Sequence, residues 1–241
     1  MLLIELKYVP IGTFDSIIPI GIILSSHLRN QVHVMKGGRQ REFDKELALE
    51  NAMYVFWKKG YVGASLTDLT TGMGINKPSM YAAFGNKESL FISATDHYLE
   101  KYAKPANRLL HTDGVPLKQR VIDYLTAIVA NQCDSSKPCG CFISMSVTEA
   151  AGETIPEKAL EAISTASGFS ETYLTQFFQQ EIQLDNLSSQ YDANDLAVYF
   201  LTLLHGTAAQ SRNGKSAKQL QSIINTAVNQ LSFEPDAKTN P

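Results

Sequence analysis

The stretch GINKPSMYAAFGNKESLF, residues 74–91, contains two polar helix caps ten residues apart with a Tyr-x-x-Phe pair between them. Asn76 and Asn86 are both of a residue type whose side chain accepts a hydrogen bond from the first turn of a helix. Pro78 suits such a turn because its missing N–H needs no partner there, and Gly85 suits the end of a helix. The stretch therefore predicts a short helix after Asn76 and the start of another after Asn86.

Two further helices are expected before this stretch. Asp44 can cap the first, which Gly60 would end, and Ser65 can cap a short second one that closes at Gly74. The apolar face of the first helix comprises Ala48, Ala52, Val55 and Phe56. A helix, a short helix, a turn with glycine and another short helix form the layout of a helix-turn-helix.

The third helix has the composition of an element that enters the major groove of DNA. Ser79 and Ala82 are small enough for a face that lies in a groove about 12 Å wide. Met80 and Phe84 are spaced to face inward. The alternative from the residues alone is a tight helical corner of any α-bundle, with Tyr81 half-buried.

Phosphate contacts are expected at the edges of the same helix. Tyr81 can donate its hydroxyl to a phosphate, and Lys77 and Lys87 lie at helix N-termini, whose free N–H groups favour anions. Residues 36–90 carry eight Lys or Arg against six Asp or Glu, while residues 91–241 carry eleven against sixteen. The basic balance therefore coincides with the helix-turn-helix, although the whole chain has a net charge of -3.

Residues 43–91 resemble the N-terminal domain of the TetR (tetracycline-repressor-like) family of bacterial regulators. The matching elements, in order, are Lys59-Gly60-Tyr61, Ala64-Ser65, Met80-Tyr81-x-x-Phe84 and Asn86-Lys87-Glu88-x-Leu90. The resemblance implies phosphate contacts from Ser65, Tyr81 and Lys87. It implies groove contacts from Asn76, Lys77, Pro78, Ser79 and Ala82. Thr70 and Gly72 depart from the alanines that are usual in the second helix, and Gly72 should cost about 1 kcal/mol of helix propensity relative to alanine. Ala64 stands in place of the usual Thr, so one phosphate contact is expected to be missing.

The rest of the chain predicts an all-α protein with helices near 87–111 (kinked at Pro105), 117–132, 141–151, 157–184, 192–212 and 215–231. We predict a DNA-binding domain at 35–91, a helical effector-binding and dimerisation domain at 92–234 and a flexible tail at 235–241. Residues 1–34 are interpreted as a disordered extension or a start-site artefact, with Met35 as the true start.

By the same resemblance, the helices at 157–184 and 192–212 would form a homodimer, although an intrachain core would fit them equally well. The helices between residues 87 and 184 would enclose an effector pocket. The expected lining comprises Tyr98, Tyr102, Tyr124, Cys141, Phe142, Met145, Phe177 and His205. Each of these is also a usual component of a helical core.

Cys133, Cys139 and Cys141 offer chemistry of another class. Three clustered cysteines are too few for a disulfide framework, which favours a reducing compartment and therefore the cytoplasm. Cys141 precedes a predicted helix and could be a reactive thiolate, but a fourth ligand for a zinc site is not evident. No cofactor motif, catalytic constellation or membrane-spanning stretch is recognisable.

The sequence therefore predicts a homodimeric DNA-binding transcriptional regulator, a repressor that binds a palindromic double-stranded operator and is released by a small molecule or thiol modification. The alternatives are a non-regulatory DNA-binding protein of the same fold and a thiol- or metal-dependent protein that uses Cys133, Cys139 and Cys141. Enzymatic activity is not expected.

Overall fold

A computed structural model describes residues 43–152 and 154–233. Within these residues all regular structure is helical, apart from an isolated bridge between Leu187 and Phe233. The all-α prediction is confirmed. The predictions for residues 1–34, for the part of the DNA-binding domain before residue 43 and for residues 235–241 lie outside the described residues.

The helices follow one another with short connections. They are α1 (Lys45–Gly63), α2 (Leu66–Met73), α3 (Lys77–Phe84), α4 (Lys87–Tyr98), α5 (Lys104–Asn107), α6 (Leu117–Gln132), α7 (Phe142–Ala150), α8 (Glu157–Gln183), α9 (Ala193–Arg212) and α10 (Ala217–Asn229). From α6 onward, the predicted bounds differ from the observed ones by two residues at most, as is usual for helix ends.

The four predicted helix caps are all formed. The Asp44 carboxylate accepts from the amides of Glu46 and Leu47, and Ser65 forms a reciprocal capping box at the start of α2. The side chains of Asn76 and Asn86 each accept one backbone amide, at 2.8 Å. These bonds satisfy N–H groups that a helix start leaves without an intrahelical partner, so they fix where α3 and α4 begin.

The departure at Gly72 has a packing reason. A Cβ atom at Gly72 would lie 2.6 Å from Cγ2 of Val55, so only glycine allows α2 to approach α1 this closely. Val55 itself is half-buried rather than part of the innermost layer, which Met53, Phe56 and Trp57 form. The loss of helix propensity at Gly72 is thus offset by close packing between the first two helices.

The single kinked helix predicted at 87–111 is divided into several segments. After Tyr98 a π-helical turn covers Leu99–Ala103, in which the amide of Lys104 donates to the carbonyl of Leu99. Pro105 lacks the N–H that a regular helix would need at this point, and the wide turn precedes it directly. A 3₁₀ turn, Arg108–His111, ends the segment after α5.

Two hydrophobic cores divide the described helices in a way that the predicted boundary at residue 91 does not follow. The first core joins α1–α4 to α7 and the first half of α8, with Phe91 in contact with Phe142. The second joins α6, the second half of α8, α9 and α10. Helix α7 therefore packs with the helix-turn-helix.

Candidate nucleic-acid interface and effector cavity

The outer face of α3 is open to solvent. Lys77, Pro78 and Ala82 are exposed, and Tyr81 keeps 46% of its surface accessible. On the inner side, Met80 is fully buried and Phe84 nearly so. A short helix is thus held by two apolar side chains while its small residues and one hydroxyl face outward, as a groove-reading helix requires.

Cations lie around α3. Lys77 is exposed at its first position, and Lys45 of α1 places its ammonium 5.2 Å from the centre of the Phe84 ring. Lys45 was not among the predicted DNA-binding residues, because a lysine at the start of the first helix carries no local signal. The fold brings it next to α3.

Lys87 lies between the helix-turn-helix and the rest of the protein. Its ammonium is 4.6 Å from the centre of the Tyr61 ring, within cation–π distance. Half-burial lowers the pKa of Lys87, and the nearby Glu149 carboxylate opposes that shift. This side chain therefore has both an aromatic and an acidic neighbour on the protein, in addition to its place at the start of α4.

Ser65 is already engaged in the protein's own hydrogen bonds. Its hydroxyl donates to Asp68 at 2.7 Å and accepts from the Asp68 amide. The same carboxylate pairs with Lys59 at 2.5 Å, and the lysine together with the Ser65 bonds lowers the pKa of Asp68 to about 2. A phosphate at this position would have to take the Ser65 hydroxyl proton from Asp68 or bind only to the free amides at the start of α2.

A cavity lies between α4, the π-helical turn, α6, α7, α8 and α9. Its volume is about 90 Å³. Five predicted residues line it: Tyr98, Tyr102, Tyr124, Cys141 and His205. The remaining lining comprises Leu99, Ala103, Asn107, Ile128, Asn131, Gln132, Ile143, Ser167, Ser170, Leu201 and Leu204.

Three other predicted pocket residues lie elsewhere. Phe142 is fully buried in the first core against Phe91 and Tyr98. Met145 contacts Arg212, whose Nη1 lies 3.0 Å from the thioether sulfur, and Phe177 packs in the second core. Only one side of α7 faces the cavity, through Cys141 and Ile143. Phe142 and Met145 lie on other sides of the helix and pack in or against the first core.

The polar groups of the cavity wall are mostly ordered by the protein. The Tyr98 hydroxyl donates to the Cys141 sulfur at 3.3 Å, and burial raises the pKa of Tyr98 well above its usual range. The buried Gln132 donates to the carbonyl of Leu204 and accepts from Thr207. His205 is exposed on one side and lines the cavity on the other, and partial desolvation lowers its pKa.

The three cysteines do not form a metal site. Within the described residues no group of three or more His, Cys, Asp or Glu side chains is arranged to hold a metal ion. Cys141 is the N-cap of α7, Cys139 is exposed, and Cys133 is half-buried with its pKa raised by burial and by the nearby Cys139. Among the same residues, no helix has both the length and the apolarity to cross a membrane.

Helix α3 is exposed, its own start and that of α4 are capped, and the described regular structure around it is helical. This arrangement defines a helix-turn-helix DNA-binding protein. The sequence profile of the bacterial regulatory proteins of the tetR family matches residues 48–94. The chain is 30% identical over 193 residues to the HTH-type transcriptional repressor ComR of Escherichia coli (strain K12), an alignment that covers 79% of this chain and 90% of the relative.

Solved structures agree with this relationship. A cysteine mutant of the TetR family transcriptional regulator CifR, complexed with 26 bp double-strand operator DNA, is 33% identical with a TM-score of 0.72, covering 81% of this chain and 100% of that one. A second CifR cysteine mutant with 26 bp operator DNA is 34% identical with a TM-score of 0.71, covering 79% and 98%. The chain belongs to the TetR family. It is a DNA-binding transcriptional regulator.

Proposed function

We propose that this protein is a homodimeric repressor that binds a palindromic operator through α3 and is released when a small molecule enters the cavity. The observation that carries the proposal is the exposed outer face of α3, with Tyr81 and Ala82 open while Met80 and Phe84 fix the helix to the body. In this proposal Asn76, Pro78, Ser79 and Ala82 contact base edges. Ser65, Lys77, Tyr81 and Lys87 contact phosphates, and Lys45 adds a further cation.

Two functional regions fit this proposal. The DNA-binding region ends near residue 91, and the helices after it supply the cavity and the dimer surface. Because the first core extends into α7 and α8, the two regions are packed together rather than joined by a free linker. A change at the cavity therefore has a direct mechanical path to the DNA-binding helices.

The dimer surface is best placed on α9 and α10. Val198 and Tyr199 of α9 and Ile223 of α10 expose between 43% and 44% of their surfaces. Tyr199 and Ile223 line a shared groove with Leu203 and Ala227. The helix expected at 157–184 is less suitable as the centre of this surface, because Leu160, at 37%, is the one large apolar side chain that α8 exposes. The occupant we propose is a second copy of the chain, packed about a two-fold axis.

DNA geometry supports the second copy. Two recognition helices related by a two-fold axis read half-sites about one helical turn apart. The CifR structures hold operators of 26 bp, about two and a half turns, which is long enough for two such half-sites. One eight-residue helix per complex would use only a fraction of that length.

The dimer has a direct test. Tyr199→Glu places a charge at the centre of the proposed surface, whereas Glu161→Gln changes an exposed residue of α8 as a control. Sedimentation equilibrium should show a dimer for the wild type and control and a monomer for Tyr199→Glu, whose operator affinity should fall together with its dimerisation. A variant that stays dimeric with normal affinity would place the interface elsewhere.

The effector we propose is a small, neutral, largely apolar molecule. A volume of about 90 Å³ corresponds to roughly six to nine water-sized atoms, since one such atom needs about 10–15 Å³ of this kind of space. The described lining contains no Asp, Glu, Lys or Arg, and the lowered pKa of His205 favours its neutral form. Asn131, Gln132 and His205 can supply hydrogen bonds to one polar group of the ligand.

Thiol modification is the second route to release, and the position of Cys141 favours it. The Cys141 sulfur lines the cavity, lies at a helix N-terminus and accepts a hydrogen bond from Tyr98. An activated alkene in the cavity could take the sulfur at one carbon and the thiol proton at the other, with no further reactant. Release by such a compound that persists in Cys141→Ser would exclude this route and leave reversible binding.

The experiment that tests the function as a whole is a mobility-shift assay with the DNA upstream of the protein's own gene. We expect a dimer-sized shift that competitor DNA of unrelated sequence does not abolish. Libraries of small neutral compounds are then screened for loss of the shift. Absence of binding to any duplex, even at low ionic strength, would contradict the proposed operator recognition. If the protein shifts a DNA site but does not change expression of the neighbouring gene, the alternative of a non-regulatory DNA-binding protein would be favoured.

A further inference from the structure

The carboxylate of Glu149, near the end of α7, binds the broken turn of α1. Its two oxygens accept the backbone amides of Tyr61 at 2.7 Å and Val62 at 2.9 Å. These amides are available because Gly60 leaves the helical conformation, with φ 76° and ψ 174°, inside α1. Tyr61 and Val62 lie 88 and 87 positions before Glu149 in the sequence, so the contact joins two distant parts of the chain.

The break in α1 is built around this carboxylate. A Cβ atom at Gly60 would lie 2.5–2.7 Å from the Glu149 oxygens and their carbon. The position therefore requires glycine for its backbone angle and also for the space that the carboxylate occupies. A charge-assisted pair of bonds to two adjacent amides is among the stronger hydrogen-bond arrangements in proteins.

Helix α7 connects this contact to the cavity. Cys141, its N-cap, and Ile143, in its first turn, line the cavity, and Glu149 lies eight residues beyond Cys141, about 12 Å along the helix axis. A helix of this length moves as one body, so a displacement at the cavity end reaches the carboxylate.

The other side of the contact is the DNA-binding surface. The Tyr61 ring, whose amide Glu149 holds, stacks on Phe56 and lies 4.6 Å beneath the ammonium of Lys87. Glu149 also acts on Lys87 directly, since its charge raises the pKa of that lysine. One side chain of α7 thus controls both the position of Tyr61 and the electrostatic surroundings of a lysine at the start of α4.

We infer that Glu149 is the positioning residue that transmits the state of the cavity to the DNA-binding helices. Occupation of the cavity shifts α7, the carboxylate leaves the amides of Tyr61 and Val62, and the broken turn of α1 releases Tyr61 and Lys87 from their DNA-competent positions. The inference rests on the proposed function, because it assigns the path by which the effector acts.

A double-mutant cycle on operator affinity tests the inference. Ser170→Phe fills the cavity from α8, Glu149→Ala removes the carboxylate, and Glu161→Ala is the control for loss of an exposed glutamate. With Glu149 present, Ser170→Phe should weaken operator binding about tenfold, a usual size for coupling between sites. In the Glu149→Ala background the same change should cost less than about twofold.

Equal weakening in both backgrounds, or none in either, would overturn the inference while operator binding itself survived. Should Ser170→Phe fail to fold, the cavity can be loaded by a methylthio group on Cys141, using methyl methanethiosulfonate in a Cys133→Ser, Cys139→Ser background. The factor by which labelling weakens operator binding is then measured with Glu149 present and in the Glu149→Ala background, and the two factors are compared.

Amide hydrogen exchange gives a readout that needs no DNA. Loading the cavity should speed exchange of the Tyr61 and Val62 amides when Glu149 is present, and Glu149→Ala alone should speed it to the same extent. Unchanged exchange at these two amides would overturn the inference. If the wild type bound no operator, the proposed function would fail, and this exchange comparison would still decide whether Glu149 links the cavity to α1.

Discussion

Replacing Lys87 by Gln should reduce the salt dependence of operator binding. Glutamine keeps a polar head on the inner half of the lysine stem, so the change removes the charge and its contact with the Tyr61 ring without leaving an apolar side chain. Lys118→Gln on α6 is the matched control, because that lysine is exposed and lies on a helix away from α3. The free energy of unfolding of Lys118→Gln should stay within about 0.5 kcal/mol of the wild-type value. Lys87→Gln should lose about 0.5–1 kcal/mol with its cation–π contact.

The magnitude follows from counterion release. Each phosphate contact contributes about 0.9 to the slope of log affinity against log salt, and a dimer carries two copies of Lys87, which gives a change of about 1.8. Between 50 and 200 mM salt, the affinity ratio of wild type to variant should therefore shrink by about twelvefold. Because burial lowers the pKa of Lys87, the wild-type slope should also fall as pH rises, before exposed lysines lose their protons.

Fluorescence anisotropy with a labelled operator measures both slopes. The Lys87→Gln line should be flatter than the wild-type line, and the Lys118→Gln line should run parallel to it. Parallel lines for Lys87→Gln, whatever the vertical offset, would show that its ammonium contacts no phosphate and that its role is confined to the Tyr61 ring and Glu149.

Three other changes have defined outcomes. Tyr81→Phe should weaken binding to specific and unrelated duplexes alike, by about 1.5 kcal/mol per protomer at fixed salt, and a change in base preference would contradict the phosphate assignment. Arg120→Met should lower the free energy of unfolding in urea by about 3–5 kcal/mol, because the buried Glu181 carboxylate loses the guanidinium that lies 2.9 Å away. A loss below about 1 kcal/mol would refute this. Gly60→Ala should lower the free energy of unfolding by more than Gly74→Ala. Both glycines have positive φ, but only at Gly60 would the new Cβ atom lie 2.5 Å from a carboxylate oxygen. Equal losses would contradict this crowding.

Local sequence signals were sufficient to predict the helices of the helix-turn-helix. Asp44, Ser65, Asn76 and Asn86 cap the helices that they were predicted to cap, because a cap acts within its own first turn. The inward positions of Met80 and Phe84 follow from helical spacing in the same way. These features depend on residues only a few positions apart.

Features that depend on distant contacts could not be read from the sequence. The Glu149 carboxylate meets Tyr61 across 88 positions, and Gly72 is explained only by Val55 of another helix. Five of the expected cavity residues line it, but Phe142 and Met145 do not, because the packing of α7 in the first core sets its rotation about its own axis. The placement of Lys45 beside Phe84 is likewise a result of the tertiary fold.

The π-helical turn Leu99–Ala103 carries a consequence for ligand choice. Such a turn holds one residue more than the α-helical path, and Leu99, Tyr102 and Ala103 of the turn all line the cavity. Deleting a single residue there would restore the α-helical path and change which side chains of this segment, Tyr102 among them, face the cavity. The loss of one codon could thus change part of the chemical surface of the cavity while the helix-turn-helix stays as it is.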